Sequence, residues 1–371
     1  MEQPKWSAEI LGIGTAVPPH RLEQEETAER LAEALADEPN AARWVKRIFR
    51  QCGVRTRYTC EPDLLQPGRQ NRYVSYSRPE RFPSTAERME TYRRESVPLA
   101  LEAARTALRE SGMNASEVTH LITVSCTGFF LPGLDAVLVP LLGLQPDVYR
   151  SPLTFLGCGA GLTAIRVARD LTAANPSARV LIICVELCTL HIQPSSDREA
   201  LFGASFFGDG ASACVIAPTG LVHHRGSFLL GQGRAKLLAD TSDDMVWKVG
   251  NHGFHLYLSP EIPKRIGRLV PPEIEGIQSA PPLLWAIHPG GRGILDELQE
   301  ACRIADAQIE ASRSVLSRYG NLSSATLLFV LREIRERISN GLQERGEGWA
   351  LAFSPGLTAE WVHIGFQSDV C

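Results

Sequence analysis

Runs of apolar, largely β-branched residues recur along this chain with helix-periodic segments between them, and that alternation restricts the fold more than any other feature. Strands are expected over Glu9–Thr15, Leu121–Ser125, Val180–Val185, Ala211–Ile216, Leu283–Ile287, Trp349–Phe353 and Trp361–Phe366. Helical patterns fall at Ala86–Arg94, Glu95–Ser111, Gly161–Ala174, Gly293–Ile309 and Ser324–Ser339. Strands alternating with helices imply a layered α/β protein whose sheets are covered by helices. A turn-rich stretch at Pro218–Gly226 separates two such sets, which predicts halves at residues 1–220 and 221–371. The length of 371 residues suits two fused halves. The stretch Glu61–Ser84, polar and rich in Pro, Arg and Tyr, reads as an irregular excursion.

Charge and composition remove several function classes. A net charge of −4 and a pI near 6.2 argue against a general nucleic-acid binder. No apolar run reaches the roughly 18 residues of a membrane span. The start, MEQPKWSAEI, has no basic region followed by an apolar core, so no secretory signal is expected. The nine cysteines are scattered, without a CxxC pair. Cys184 and Cys188 lack a second pair or nearby histidines, so no metal site is expected. Reduced thiols in a cytoplasmic protein are the expectation.

Three local patterns carry chemistry. In Leu156-Gly157-Cys158-Gly159-Ala160-Gly161 the glycines flank a cysteine where an amphipathic helix begins. Glycines permit a sharp turn and close approach of a ligand. The helix N-terminus favours a thiolate, which attacks thioesters. Taken alone, the pattern equally suits a small buried residue at a tight turn. His288-Pro289-Gly290-Gly291 follows a strand, where a histidine faces a site at the end of a sheet or simply caps a turn. Asn321, in Tyr319-Gly320-Asn321-Leu322-Ser323-Ser324-Ala325, precedes a helix and suits an N-cap as well as a site.

In this order and spacing the three motifs resemble those of the type III polyketide synthases, the chalcone-synthase superfamily, in a bacterial type. The likeness runs through most of the chain, including Phe206–Ala211, Gly253–Leu256, Ala352–Thr358, and Ser125–Gly128 followed by Leu131–Gly133. Two positions depart from the usual pattern: Ser354 stands where the family commonly has glycine, and Gly159 where other small residues occur. The stretch His191–Phe202 matches poorly, so pocket residues there are not carried over.

The resemblance implies a thiolase-like fold, two similar halves forming a layered αβαβα architecture. It also implies a decarboxylative condensing acyltransferase with Cys158 as nucleophile and His288 and Asn321 as its partners. His288 would support the thiolate as an imidazolium; both partners would donate to the thioester oxygen of malonyl-CoA. Phe207 and Phe254 match aromatic gatekeepers, and Cys126, Leu131, Met245 and Ser323 match cavity positions. Arg47 and Arg50, with Arg55 across a gap, match a coenzyme A-binding segment. No cofactor is implied beyond coenzyme A thioesters as substrates, and the resemblance implies a homodimer in which Leu131 reaches the partner's cavity. Cys126, Met245 and the small Gly203 and Ala204 point to a medium- or long-chain fatty acyl starter, with alkylpyrone or alkylresorcinol products. The alternatives are a ketoacyl synthase III-type enzyme using an acyl carrier protein and a non-catalytic scaffold that binds acyl-CoA.

Overall fold

The computed structural model describes residues 5–67, 70–73, 82–193, 195–221, 226–275 and 281–367. Its strands are β1 (Ala8–Ala16), β2 (His20–Glu23), β3 (Thr56–Thr59), β4 (His120–Ser125), β5 (Tyr149–Thr154), β6 (Val180–Leu187) and β7 (Asp209–Pro218). After them come β8 (Ser227–Leu237), β9 (Met245–Gly250), β10 (Gly253–Leu258), β11 (Leu284–Ile287), β12 (Glu347–Ser354) and β13 (Thr358–Gln367). The helices are α1 (Gln24–Ala34), α2 (Pro39–Gln51), α3 (Thr85–Ser111), α4 (Leu134–Leu142) and α5 (Ala160–Ala174). The later ones are α6 (Arg198–Phe206), α7 (Ile262–Ile274), α8 (Arg292–Ala301), α9 (Asp306–Tyr319) and α10 (Thr326–Ser339).

Nine strands form one sheet in the order β11-β12-β13-β8-β1-β7-β6-β4-β5. The earlier five and later four strands join where Ala8–Ile10 of β1 pairs with Phe228–Leu230 of β8. Side chains alternate strictly along the buried strands, as the period of 2 requires. Ala350 and Ala352 of β12, with Val180, Ile182 and Cys184 of β6, face a central core containing α5 and α10. Leu181, Ile183 and Val185 face α3 and α4, while Trp349, Leu351 and Phe353 face α7, α8 and α9. The layers are therefore helix, strand, helix, strand, helix. Each fully buried Leu, Ile, Val or Phe contributes on the order of 1.5–3 kcal/mol.

Several local expectations shift. The two helices expected over Ala86–Ser111 are one, α3, running through Pro98. A capping box starts it: Glu87 N–H donates to Ser84 Oγ at 3.3 Å, and Ser84 N–H donates to Glu87 Oε2 at 2.8 Å. The single helix expected over Gly293–Ile309 breaks after Ala301; Arg303 takes a left-handed φ of 54° and Ile304 turns inward to be buried. Of the Glu61–Ser84 and Pro218–Gly226 stretches, residues 68–69, 74–81 and 222–225 lie outside the described residues. Among the described residues, no helix is long and apolar enough to cross a membrane.

Candidate active site

Cys158 sits in the turn between β5 and α5, beyond the C-terminal end of a strand parallel to β4. Gly157 has φ 81°, and a Cβ there would stand 2.0 Å from Pro355 Cδ, so no larger residue fits. The two departures from the family pattern touch each other. Gly159 N–H donates to Ser354 Oγ at 3.1 Å, and a Cβ at 159 would lie 2.3 Å from that oxygen. Cys126, expected only as cavity wall, also braces the turn that carries Cys158: its Sγ accepts from Gly157 N–H at 2.9 Å and donates to Gly157 O at 3.4 Å.

His288 follows β11, a strand parallel to β12. Its backbone N–H donates to Leu351 O at 2.8 Å. The imidazole is buried, and neither ring nitrogen has a hydrogen-bond partner among the described residues. Asn321 lies between α9 and α10 and is locked to the Phe207 segment: Asn321 N–H donates to Phe206 O at 2.7 Å, and Gly208 N–H to Asn321 O at 3.0 Å. Its Oδ1 accepts from Ser323 N–H at 2.7 Å, which assigns that atom as oxygen and frees the Nδ2 amide to donate. Ser323 itself is held at φ 48°, a left-handed strain at a non-glycine residue.

Burial governs the charges here. It pushes the Cys158 thiol up to about 11, against hydrogen bonds from Ser323 and Asn321 that favour the thiolate; the buried Glu186 carboxylate adds to the rise. It pushes His288 down to about 3. Desolvation thus works against the imidazolium–thiolate pair that the resemblance implies, while Cys158 itself is half-buried. A neutral imidazole still carries one N–H to donate. Glu186, itself raised by burial, accepts from Ser324 Oγ, from Thr127 Oγ1 at 2.6 Å and from Cys126 N–H. It ties the Cys126 loop to the Asn321 loop.

Cys158, His288, Asn321, Ser323, Cys126, Phe207 and Met245 all line one cavity of about 760 Å³. Three of the expected residues stand apart from this lining. Phe254 does not line it: the ring is buried one layer back, 5.7 Å from Phe155 and 5.9 Å from Trp247, and those two rings face the cavity. Leu131 is 90% exposed and lines none of this chain's cavity, an arrangement compatible with the expected reach into a partner's cavity. Arg55 is exposed, and its Nε donates to Ser317 Oγ at 2.9 Å. Arg47 and Arg50 are exposed on α2, whose Ile48, Gln51 and Cys52 border the cavity. Arg47 and Arg198 both stack on Trp44, at 5.9 and 4.8 Å, and Arg198 stands on the cavity's lip. Arg198, Trp247 and Glu186 are the residues that sequence reasoning missed. Glu186 alone left a signal, a carboxylate inside an otherwise apolar strand.

Comparison with known proteins agrees along the whole chain. Residues 2–219 match the N-terminal domain of the chalcone and stilbene synthases, and residues 231–365 match their C-terminal domain. The chain is 33% identical to type III polyketide synthase 21 of Oryza sativa subsp. japonica, covering 95% of this chain and 92% of that one. It is 30% identical to the alpha-pyrone synthesis polyketide synthase-like Pks18 of Mycobacterium tuberculosis, covering 96% and 91%. Among solved structures it resembles the type III polyketide synthase domain of Steely1 from Dictyostelium, with a TM-score of 0.86 at 27% identity, covering 97% and 99%. It also resembles PKS-I from the brown alga Ectocarpus siliculosus, at 0.88 and 27%, covering 98% and 100%. A cysteine at a helix N-terminus, an unpartnered buried histidine and an oriented asparagine amide on one cavity wall thus stand in a chain that belongs to the chalcone and stilbene synthase family and is a type III polyketide synthase.

Proposed function

We propose that this enzyme loads a fatty acyl group onto Cys158, extends it with malonyl-CoA and cyclises the product to a pyrone or resorcinol. The observation that carries the reading is the convergence of Cys158, His288 and Asn321 on one largely aromatic and aliphatic cavity. In loading, neutral His288 takes the Cys158 proton, the thiolate attacks the acyl-CoA carbonyl, and coenzyme A leaves as a thiolate that recovers the proton and returns His288 to its neutral form. In extension, the malonyl C–C bond breaks, carbon dioxide departs and its electron pair forms an enolate. The neutral His288 N–H and the Asn321 Nδ2 donate to the enolate oxygen, each worth about 3–4 kcal/mol in such sites. The enolate carbon then bonds to the acyl carbonyl and the Cys158 sulfur leaves. The carboxylate supplies its own electrons, so the reading calls for coenzyme A thioesters and no metal or resident cofactor.

Phe202, Phe206, Met245, Trp247, Leu256 and Leu258 make most of the inner wall apolar, which suits an alkyl chain. Each buried CH₂ contributes about 0.8 kcal/mol. At the mouth, Arg198, over the Trp44 ring beside Arg47, joins Arg47, Arg50 and Arg55 as a candidate partner for coenzyme A phosphates. We further read the protein as a cytoplasmic homodimer with halves meeting near residue 220. Strand β5 is an exposed edge beside Phe129, Leu131, Phe155 and Leu156, all exposed apolar side chains that a second copy would cover. The test is a panel of acyl-CoA starters with malonyl-CoA, read by mass spectrometry of products and of the Cys158 peptide. Acylation confined to Cys158, with kcat/KM rising along octanoyl and longer starters, is the expected result. Product formation by Cys158→Ala overturns the mechanism; preference for acetyl- or aromatic CoA overturns the starter.

A further inference from the structure

Phe254 is gripped on both sides of its backbone by one short segment. Among the described residues strand β10 pairs with β9 alone, and the Phe254 backbone turns away from it. The Phe254 N–H donates to His191 Nδ1 at 3.1 Å, and the Phe254 carbonyl accepts from Gln193 Nε2 at 3.2 Å. The His191 ring also lies flat on the Phe254 ring, with centroids 4.1 Å apart and planes at 10°. Because Nδ1 accepts, Nε2 carries the proton, and it donates to Thr127 O at 2.6 Å. Burial holds the ring neutral, pushing it down to about 3, and the neighbouring Arg88 adds to the fall while the Thr127 carbonyl opposes it. Neither residue is among the described residues that line the cavity, and their hydrogen bonds go to Phe254 and Thr127. Both lie in the stretch that matches the family pattern poorly.

We propose that His191 and Gln193 are positioning residues that hold Phe254 behind the cavity wall and so set which acyl chains the cavity accepts. Phe254 backs Phe155 and Trp247, and His191 also meets Trp247 edge-on at 5.8 Å. Removing the imidazole takes away the stacking partner, the acceptor for the Phe254 N–H and the tie to the loop that carries Cys126. The Phe254 ring then has room to move back, and the two wall rings follow it. Specificity shifts of this kind are large, since one methylene in an apolar pocket is worth roughly 10- to 200-fold.

The inference rests on the reading of Cys158 and its cavity as the polyketide site, and the experiment separates the two. His191→Ala, His191→Asn, His191→Phe and Gln193→Ala are compared with wild type in Cys158 acylation, malonyl-CoA decarboxylation, starter selectivity and thermal stability. Asn keeps an acceptor for the Phe254 N–H, and Phe keeps the stack. For His191→Ala and Gln193→Ala, malonyl-CoA decarboxylation should stay within about threefold of wild type and Cys158 should still acylate, while kcat/KM ratios between starters differing in chain length change by roughly 10-fold or more. His191→Asn and His191→Phe should each restore part of the wild-type selectivity. Unchanged starter ratios in both alanine variants overturn the proposal. So does a uniform fall of all activities that tracks lost thermal stability, because that marks a purely structural role. Absence of Cys158 acylation in wild type would instead overturn the underlying site reading, and this inference with it.

Discussion

Gly159→Ala is the most informative small change near the nucleophile. The new Cβ would stand 2.3 Å from Ser354 Oγ, and the next atoms, Phe353 C and O, lie at 3.4 and 3.5 Å, where contact is ordinary. The whole conflict is therefore with one hydroxyl. Relieving it means turning Ser354 away and losing its bond to the 159 N–H, about 1 kcal/mol, with overpacking strain of about 1–3 kcal/mol beside it. The single variant should lose about 2–4 kcal/mol of stability. It should also load Cys158 slowly, because the strained turn carries the sulfur. Ser354→Gly alone should cost about 1 kcal/mol for the missing bond. The double variant Gly159→Ala/Ser354→Gly has no hydroxyl to clash, so it should be more stable than Gly159→Ala by about 1–3 kcal/mol. Urea unfolding measures the stability cycle, and intact-protein mass spectrometry against time measures Cys158 acylation. If Gly159→Ala is as damaging with glycine at 354 as with serine, the coupling is zero and the reasoning is wrong.

Asn321→Ala should acylate Cys158 nearly normally yet decarboxylate malonyl-CoA about 10²- to 10³-fold more slowly, whereas His288→Ala should be impaired in both steps; equal loss of acylation in the two would remove the division of roles. In the ligand-free enzyme the thiolate fraction grows as pH rises toward the elevated Cys158 value of about 11. Iodoacetamide alkylation of Cys158 should therefore still be accelerating at pH 9, and a plateau reached by pH 7 would show that contact with an imidazolium outweighs burial. Leu131→Glu puts a charge where an apolar interface is proposed, so light scattering should show weakened assembly; a wild-type monomer at working concentration would refute the interface itself.

The three motif turns were legible because their chemistry is local. Glycines around Cys158, the Pro-Gly-Gly after His288 and the polar run at Asn321 each demand a particular backbone path whatever surrounds them. The central strands were legible too, since Val180–Val185 and Trp349–Phe353 are apolar throughout and buried on both faces. The exposed strand β5, with a proline and few buried side chains, showed no such pattern, and neither did the β9–β10 hairpin. Sequence order gives no hint that β5 and β11, at opposite ends of the strand order, deliver Cys158 and His288 to one cavity. The sheet has to curve around α5 and α10 for that, and burying both faces of the central strands is what drives it. The motifs thus named the candidate reacting groups from sequence alone, and the fold brings them to one cavity. The charge state of those groups, the place of Phe254 behind the wall, and the pairing of Gly159 with Ser354 were decided by the tertiary structure, because desolvation and packing depend on which distant segments meet.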